Sequence, residues 1–331
     1  MQNISRRSLL GAAGALALAG TALAQEAFPR KPLALIVPYP AGGASDVSAR
    51  IFGESIGKHL KQPVIVENVA GGTGLLGAGR VLNAPADGYT FFHGSVNEVI
   101  LTPLLNPAAK YVPSDFRLAE PISEVALMLL VKQDLPVATV DEFAAYAQKN
   151  GKTVPLSFAT VGIDSLYHLM GDAMGKRLGV EFLHVPFKGA APALQGLGGG
   201  QVDFAILPYQ NSMEALAAQG RFKIVSTFSK TLPPPLRHLP TIDKSKVLGD
   251  FEHTIGGGYF VRKATPEALV AVLRGAVANA LATPDIRARL EAEGRLVVQP
   301  MLDPAVVDAY FANMLKRTTG LLAAIGREPV R

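Results

Sequence analysis

A chain of 331 residues is longer than one ordinary domain and suits two. Apolar residues make up 49% and charged ones 18%, which supplies a large core and argues against disorder. The lack of any cysteine excludes a disulfide framework, a thiolate zinc site, an iron–sulfur cluster and a cysteine nucleophile. A net charge of +5 without a long basic run gives nucleic-acid binding no footing.

The first 24 residues read as an address. Arg6 and Arg7 precede a Leu/Ala/Gly-rich apolar run, and Ala22-Leu23-Ala24 supplies the small–x–small site of signal peptidase. Residues 1–24 are expected to be a signal peptide cleaved after Ala24, and Ser5-Arg6-Arg7-Ser8-Leu9-Leu10 fits its twin-arginine type. The run is too short to span a bilayer, and no cysteine follows it to take a lipid anchor. The periplasm is the expected location.

Short apolar strands then alternate with helical stretches, the pattern of a parallel α/β sheet. Residues 33–38 (LALIVP) form a buried strand that ends in the turn Pro40-Ala41-Gly42-Gly43. A helix over 45–61 follows, with Val47, Ile51, Ile56 and Leu60 towards one face. Next come a strand over 63–67, the glycine loop 70–74, a short helix over 75–83 and a strand over 89–93. The apolar strand 125–131 is where the chain is expected to pass into a second domain. There, strands are expected at 156–159, 182–185, 202–207 and 224–228, and helices at 140–149, 165–178, 190–197 and 213–219. The proline-rich loop 232–240 would lead back. Helices over 266–282, 284–293 and 304–324, each opened by proline, close the chain.

Three glycine-bearing loops lie between a strand and a helix: 38–46, 70–74 and 160–165. The first amides of a helix lack partners and its dipole is positive there, so such loops suit a carboxylate or phosphate. They are also ordinary tight turns of an α/β sheet. Gly72-Thr73-Gly74-Leu75-Leu76-Gly77 matches G-x-G-x-x-G, but the strand end at Gly94-Ser95 lacks the acid a dinucleotide ribose needs. Neither Ser45 nor Ser95 sits in a nucleophile elbow, and the six histidines show no metal-ligand spacing. Asp46 and Asp164 stand at helix starts, where capping explains an acid equally well. No metal site, cofactor or catalytic residue is expected.

The ordered set LALIVPYPAGGASDVSAR, QPVIVENVAGGTGLLGAGRVLNAPADGYTFFHGS, FLHVPFKGAAPALQGLGGGQVDFAIL and TPEALVAVLRGAVANALATPDIRARLEAEG resembles the Bug/TctC family. These are extracytoplasmic solute receptors of tripartite tricarboxylate transporters. The resemblance implies a two-lobed α/β periplasmic-binding-protein fold with a ligand cleft between the lobes. Residues 25–125 plus 231–331 would form the first lobe and 126–230 the second. It further implies that Tyr39, Ala41, Gly42, Gly43 and Asp46, with Gly72, Thr73, Gly74 and Ser95, hold the ligand from the first lobe. Thr160, Val161, Gly162, Ile163, Asp164 and Ser165 would hold it from the second. Lys188 lies in the V-P-F-K-G piece, and Asp203 reads as a structural hydrogen-bond partner.

The chain departs from the family at Ile163, which makes that wall more apolar, and at Asp164 and Glu98, which add negative charge near an expected anion pocket. The resemblance implies a monomeric receptor, not an enzyme, that passes a small carboxylate-bearing or amphoteric ligand to membrane permease subunits. An exported cofactor-binding enzyme is the alternative.

Overall fold

The computed structural model describes residues 28–151 and 153–330, so the expected signal peptide and cleavage site lie outside the described residues. In the first sheet β1 (Leu33–Val37) lies between β2 (Val64–Asn68) and β3 (Thr90–Ser95), all parallel. Helix α1 (Ala44–Leu60) connects β1 to β2, and α2 (Leu75–Leu82) connects β2 to β3. A turn of π-helix, Asn97–Leu101, runs into α3 (Thr102–Leu105).

Strand β4 (Phe116–Lys132) is 17 residues long and starts well before the expected residue 125. It belongs to both sheets. Up to Ala126 it pairs antiparallel with β9 (Thr254–Arg262), and β10 (Arg295–Val297) joins its other edge. From Leu127 onwards it pairs antiparallel with β7 (Phe204–Pro208) and β8 (Phe222–Thr227). The second sheet is completed by β5 (Leu156–Thr160) and β6 (Phe182–Pro186), parallel to each other, with β5 also parallel to β7. The expected parallel sheet is thus mixed. The runs of β1, β2, β3, β5 and β6 are parallel as read, β7 is parallel to β5 and antiparallel to β4, and β4, β8, β9 and β10 pair antiparallel.

The second lobe's helices are α4 (Val140–Asn150), α5 (Leu166–Leu178), α6 (Ala190–Gly198) and α7 (Ser212–Ala218). The chain ends in α8 (Glu267–Ala282), α9 (Pro284–Ala292) and α10 (Pro304–Ile325). Alternation along β1 divides the core. Leu33, Leu35 and Val37 pack with Phe52 of α1 and Val277 of α8, whereas Ile36 faces the larger core that continues into the second lobe. There Phe158 stacks on Phe204 with ring centroids 5.2 Å apart.

Candidate functional site

The loops after β1, β2 and β3 face those after β5, β6 and β7, at the carboxyl ends of the parallel strands, where α/β sheets place ligands. Thr73 Oγ1 donates to the Ile163 carbonyl at 2.6 Å, and Leu166 N donates to Asn97 Oδ1 at 2.8 Å, both across the cleft. Gly162 comes so near Thr73 that a Cβ there would lie 2.5 Å from Oγ1.

Two small cavities of 30 and 40 Å³ lie between the lobes, and Tyr39, Ala44, Ser45, Tyr167 and Pro208 line both. A larger cavity of 450 Å³ lies between Gly72, Thr73 and Gly74 on one side and Gly162, Ile163 and Lys188 on the other. Helix α1 starts at the small cavities. Gly43 precedes it in extended conformation, no side chain caps it, and Val47 N is the first amide to bond back, to Gly43 O at 3.0 Å. The amides of Ala44, Ser45 and Asp46 therefore have no intrahelical partner, and the dipole makes this end attractive to an anion.

Several residues named from the sequence serve the loops themselves. Asp46 is buried and accepts from Gly42 N at 2.9 Å, Asn68 Nδ2 at 3.0 Å and Arg50 Nε at 3.0 Å. Burial alone would raise its pKa, but the hydrogen bonds from Arg50, Gly42 and Asn68 outweigh that and hold it below the usual carboxylate value. Asp46 thus braces the first loop, and the Gly42 amide is spent on it. Ala41 is exposed on the same loop, and Gly43 lines the 30 Å³ cavity.

Thr160 Oγ1 bonds the Gly162 carbonyl at 3.1 Å and His184 Nε2 at 2.7 Å, and Ser165 Oγ donates to the Gly162 carbonyl at 2.8 Å. Both hydroxyls shape the second-lobe loop. Val161 lines the 30 Å³ cavity. Asp164 lines the larger cavity, its charge countered by Arg327, which follows α10. Asp203 accepts from Ser157 N and Oγ, both at 2.8 Å, and pairs with Lys132, a structural role as read.

Ser95 N and Oγ both donate to Glu98 Oε2, at 2.6 and 2.9 Å. Glu98 is buried and lines the 40 Å³ cavity with His93 and Arg295. It also packs on Gly74, whose φ is +86° and whose Cβ would fall 2.1 Å from Glu98 Cγ. Burial raises the Glu98 carboxyl, opposed by hydrogen bonds from Tyr39 and Ser95. Burial, with the nearby Arg295 charge, pushes His93 down to about 3, so its imidazole is neutral. Burial lowers Arg295 to about 10, which leaves it cationic at neutral pH.

Sequence reasoning missed Ala44 and Ser45 as lining residues, along with Asn97, Tyr167, Pro208 and Arg295, and it missed Arg327 as the partner of Asp164. The glycine loop before α1 was the available signal for the first two, since a helix start exposes amides whatever side chains follow. Arg295 and Arg327 lie 163 to 251 residues from their partners and carried no local signal.

Two lobes joined through the shared strand β4, meeting at glycine loops and an uncapped helix start, define a periplasmic-binding-protein fold with its cleft between the lobes. The chain belongs to the tripartite tricarboxylate transporter family receptors, whose sequence model matches residues 48–326. It is 30% identical to the periplasmic binding protein BugD, with a TM-score of 0.81 over 91% of this chain and 99% of that one. MatC from Rhodopseudomonas palustris with bound malate is 30% identical, at a TM-score of 0.80 over 89% and 100%. R. palustris Rpa4515 with adipate is 28% identical, at 0.82 over 92% and 100%.

Proposed function

We propose that this protein is an exported periplasmic receptor that captures a small carboxylate-bearing organic molecule between its lobes. It hands that molecule, chemically unchanged, to the membrane permease subunits of a tripartite transporter. Residues 25–125 plus 231–331 act as the first lobe and 126–230 as the second, and a monomer suffices. The observation that carries the reading is the start of α1, where the free amides of Ala44 and Ser45 stand at both interlobe cavities. Gly43, Gly72, Thr73 and Gly74 complete the first-lobe wall, and Val161, Gly162 and Ile163 the second. The malate and adipate held by the two R. palustris proteins support a carboxylate as the anchored group.

Titration calorimetry and thermal unfolding of the protein from Gln25, against a panel of mono- and dicarboxylates, test it. Saturable binding at a hundred times the dissociation constant adds about 2.7 kcal/mol of stability. Ala44→Pro removes one anchoring amide at the first helical position, where proline is tolerated. Its affinity is expected to fall about tenfold or more with the fold retained. Unchanged affinity would refute the anchor.

A further inference from the structure

The 40 Å³ chamber is unlike the rest of the cleft. His93, Glu98 and Arg295 line it at 6%, 0% and 3% exposure. Each holds one buried polar atom that no protein group meets: His93 Nδ1, Glu98 Oε1 and Arg295 Nε. Their other contacts are to backbone and hydroxyl groups. Glu98 Oε2 takes both Ser95 donors and the carboxyl group faces the Tyr39 hydroxyl, Arg295 Nη1 donates to Ser123 Oγ at 3.1 Å, and Nη2 donates to the Ala44 carbonyl at 2.7 Å. Among the described residues neither Glu98 nor Arg295 has an ion-pair partner. Buried polar atoms are nearly always paired, so three in one chamber mark a place shaped for a polar group. By this measure a water needs roughly 10–15 Å³, so the chamber holds more than one water but no ring.

The donor pattern narrows the group. Arg295 Nε–H can only donate. In its ionised form Glu98 accepts at Oε1, and so does His93 Nδ1 when Nε2 carries the proton of the neutral ring. A carboxylate would satisfy Arg295 alone and set an anion against Glu98. An ammonium would satisfy Glu98 and His93 but set a cation against Arg295. A primary carboxamide brings one acceptor and two donors, one for each unpaired atom.

We propose that this chamber is a subsite for a terminal carboxamide, so that the captured molecule is an amide-bearing carboxylic acid. The inference rests on the carboxylate-receptor reading, because the acid end stays with the α1 amides in the adjoining 30 Å³ cavity.

Calorimetry at neutral pH with succinate, glutarate and adipate, each against its own monoamide and the matching ω-amino acid, tests it. The wild-type protein should bind at least one monoamide about tenfold or more tighter than its diacid. In Glu98→Gln, the side-chain oxygen can keep the Ser95 donors while the amide nitrogen faces the chamber. A donor then replaces an acceptor, and the preference should narrow or invert towards the diacid. Diacids bound as tightly as monoamides by the wild type would overturn the amide subsite and leave the carboxylate receptor standing. A preference for the ω-amino acid would overturn it likewise. Binding of none of them would count against the carboxylate reading and this inference together. Should the variant fail to fold by circular dichroism, the wild-type comparison decides alone.

Discussion

Replacing Asp46 with alanine separates a brace from a ligand contact. The carboxylate is 5% exposed and loses four donors on truncation: Gly42 N, Asn68 Nδ2, and Nε and Nη2 of Arg50. Arg50 is 54% exposed, so its ion pair contributes under about 1 kcal/mol. Gly42 N loses its acceptor and Asn68 Nδ2 loses one of two, keeping the Tyr39 carbonyl, at about 1 kcal/mol each. Loss of an anion in the first turn of α1 removes about 0.5 kcal/mol more. The total is about 3 kcal/mol, or roughly 5–10 °C in Tm for a protein of this size.

Urea and thermal unfolding of Asp46→Ala beside the wild type measure this directly. The pH dependence has a defined sign. The folded pKa lies below the usual 3.8, so the Asp46 contribution is present above that value and is lost as pH falls through the folded pKa. The gap between variant and wild type should therefore hold across neutral pH and shrink only in acid. A variant as stable as the wild type that has lost ligand binding would refute the brace and make Asp46 a ligand contact after all.

Gly162→Ala places a Cβ 2.5 Å from Thr73 Oγ1 at a φ of +156°, so ligand affinity should fall about five- to fifty-fold. Calorimetry should show part of that loss restored when Thr73→Ala is added. Tyr259→Phe removes a hydroxyl that is buried without a protein partner, from a ring packed edge-on against Phe52, Phe91 and His93. It should stabilise the protein by about 1 kcal/mol in urea unfolding. Burial raises the Glu120 carboxyl from 4.5 to about 7, so between those values the unfolded chain has lost a proton that the folded one keeps. Stability should then fall by about 1.4 kcal/mol per pH unit over that window from this group alone. Glu120→Gln, which keeps an acceptor for Met301 N, should remove that component of the slope in thermal unfolding followed across pH.

The parts of the fold that were legible in sequence are those in which local pattern and tertiary role agree. The runs at 33–38 and 156–159 are apolar because parallel strands are buried on both faces. Ser165 stands before α5 and accepts from His168 N at 3.3 Å, as its position before a helical run suggests. Strand β9 was not legible by periodicity, because Gly256-Gly257-Gly258 reads as a turn. In the structure those glycines let β4 come close, and a Cβ on Gly258 would lie 2.6 Å from the Glu120 carbonyl. Part of the polar cleft lining was hidden for a different reason. Glu98 stood out as an acid near the pocket, but Arg295, which lines the same cavity, is a charged residue in the interior, where composition rules place almost none. Asp46 shows the same limit on a smaller scale: the sequence marks an acid at a helix start, and only the structure shows it turned back to hold Gly42.

Strand β4 runs through both lobes without a break. It has no linker at its first crossing, and the change of partners at Ala126–Leu127 leaves the backbone in register with one sheet on either side. The six residues from Leu127 to Lys132 extend about 20 Å at the usual rise per residue, and they act as a lever arm. A rotation of about ten degrees at the changeover moves the tip of that arm by about 3 Å, at the same rise per residue. A pair of spectroscopic labels on the outer ends of the two sheets would therefore report closure of the cleft as a distance, with no probe placed near the ligand.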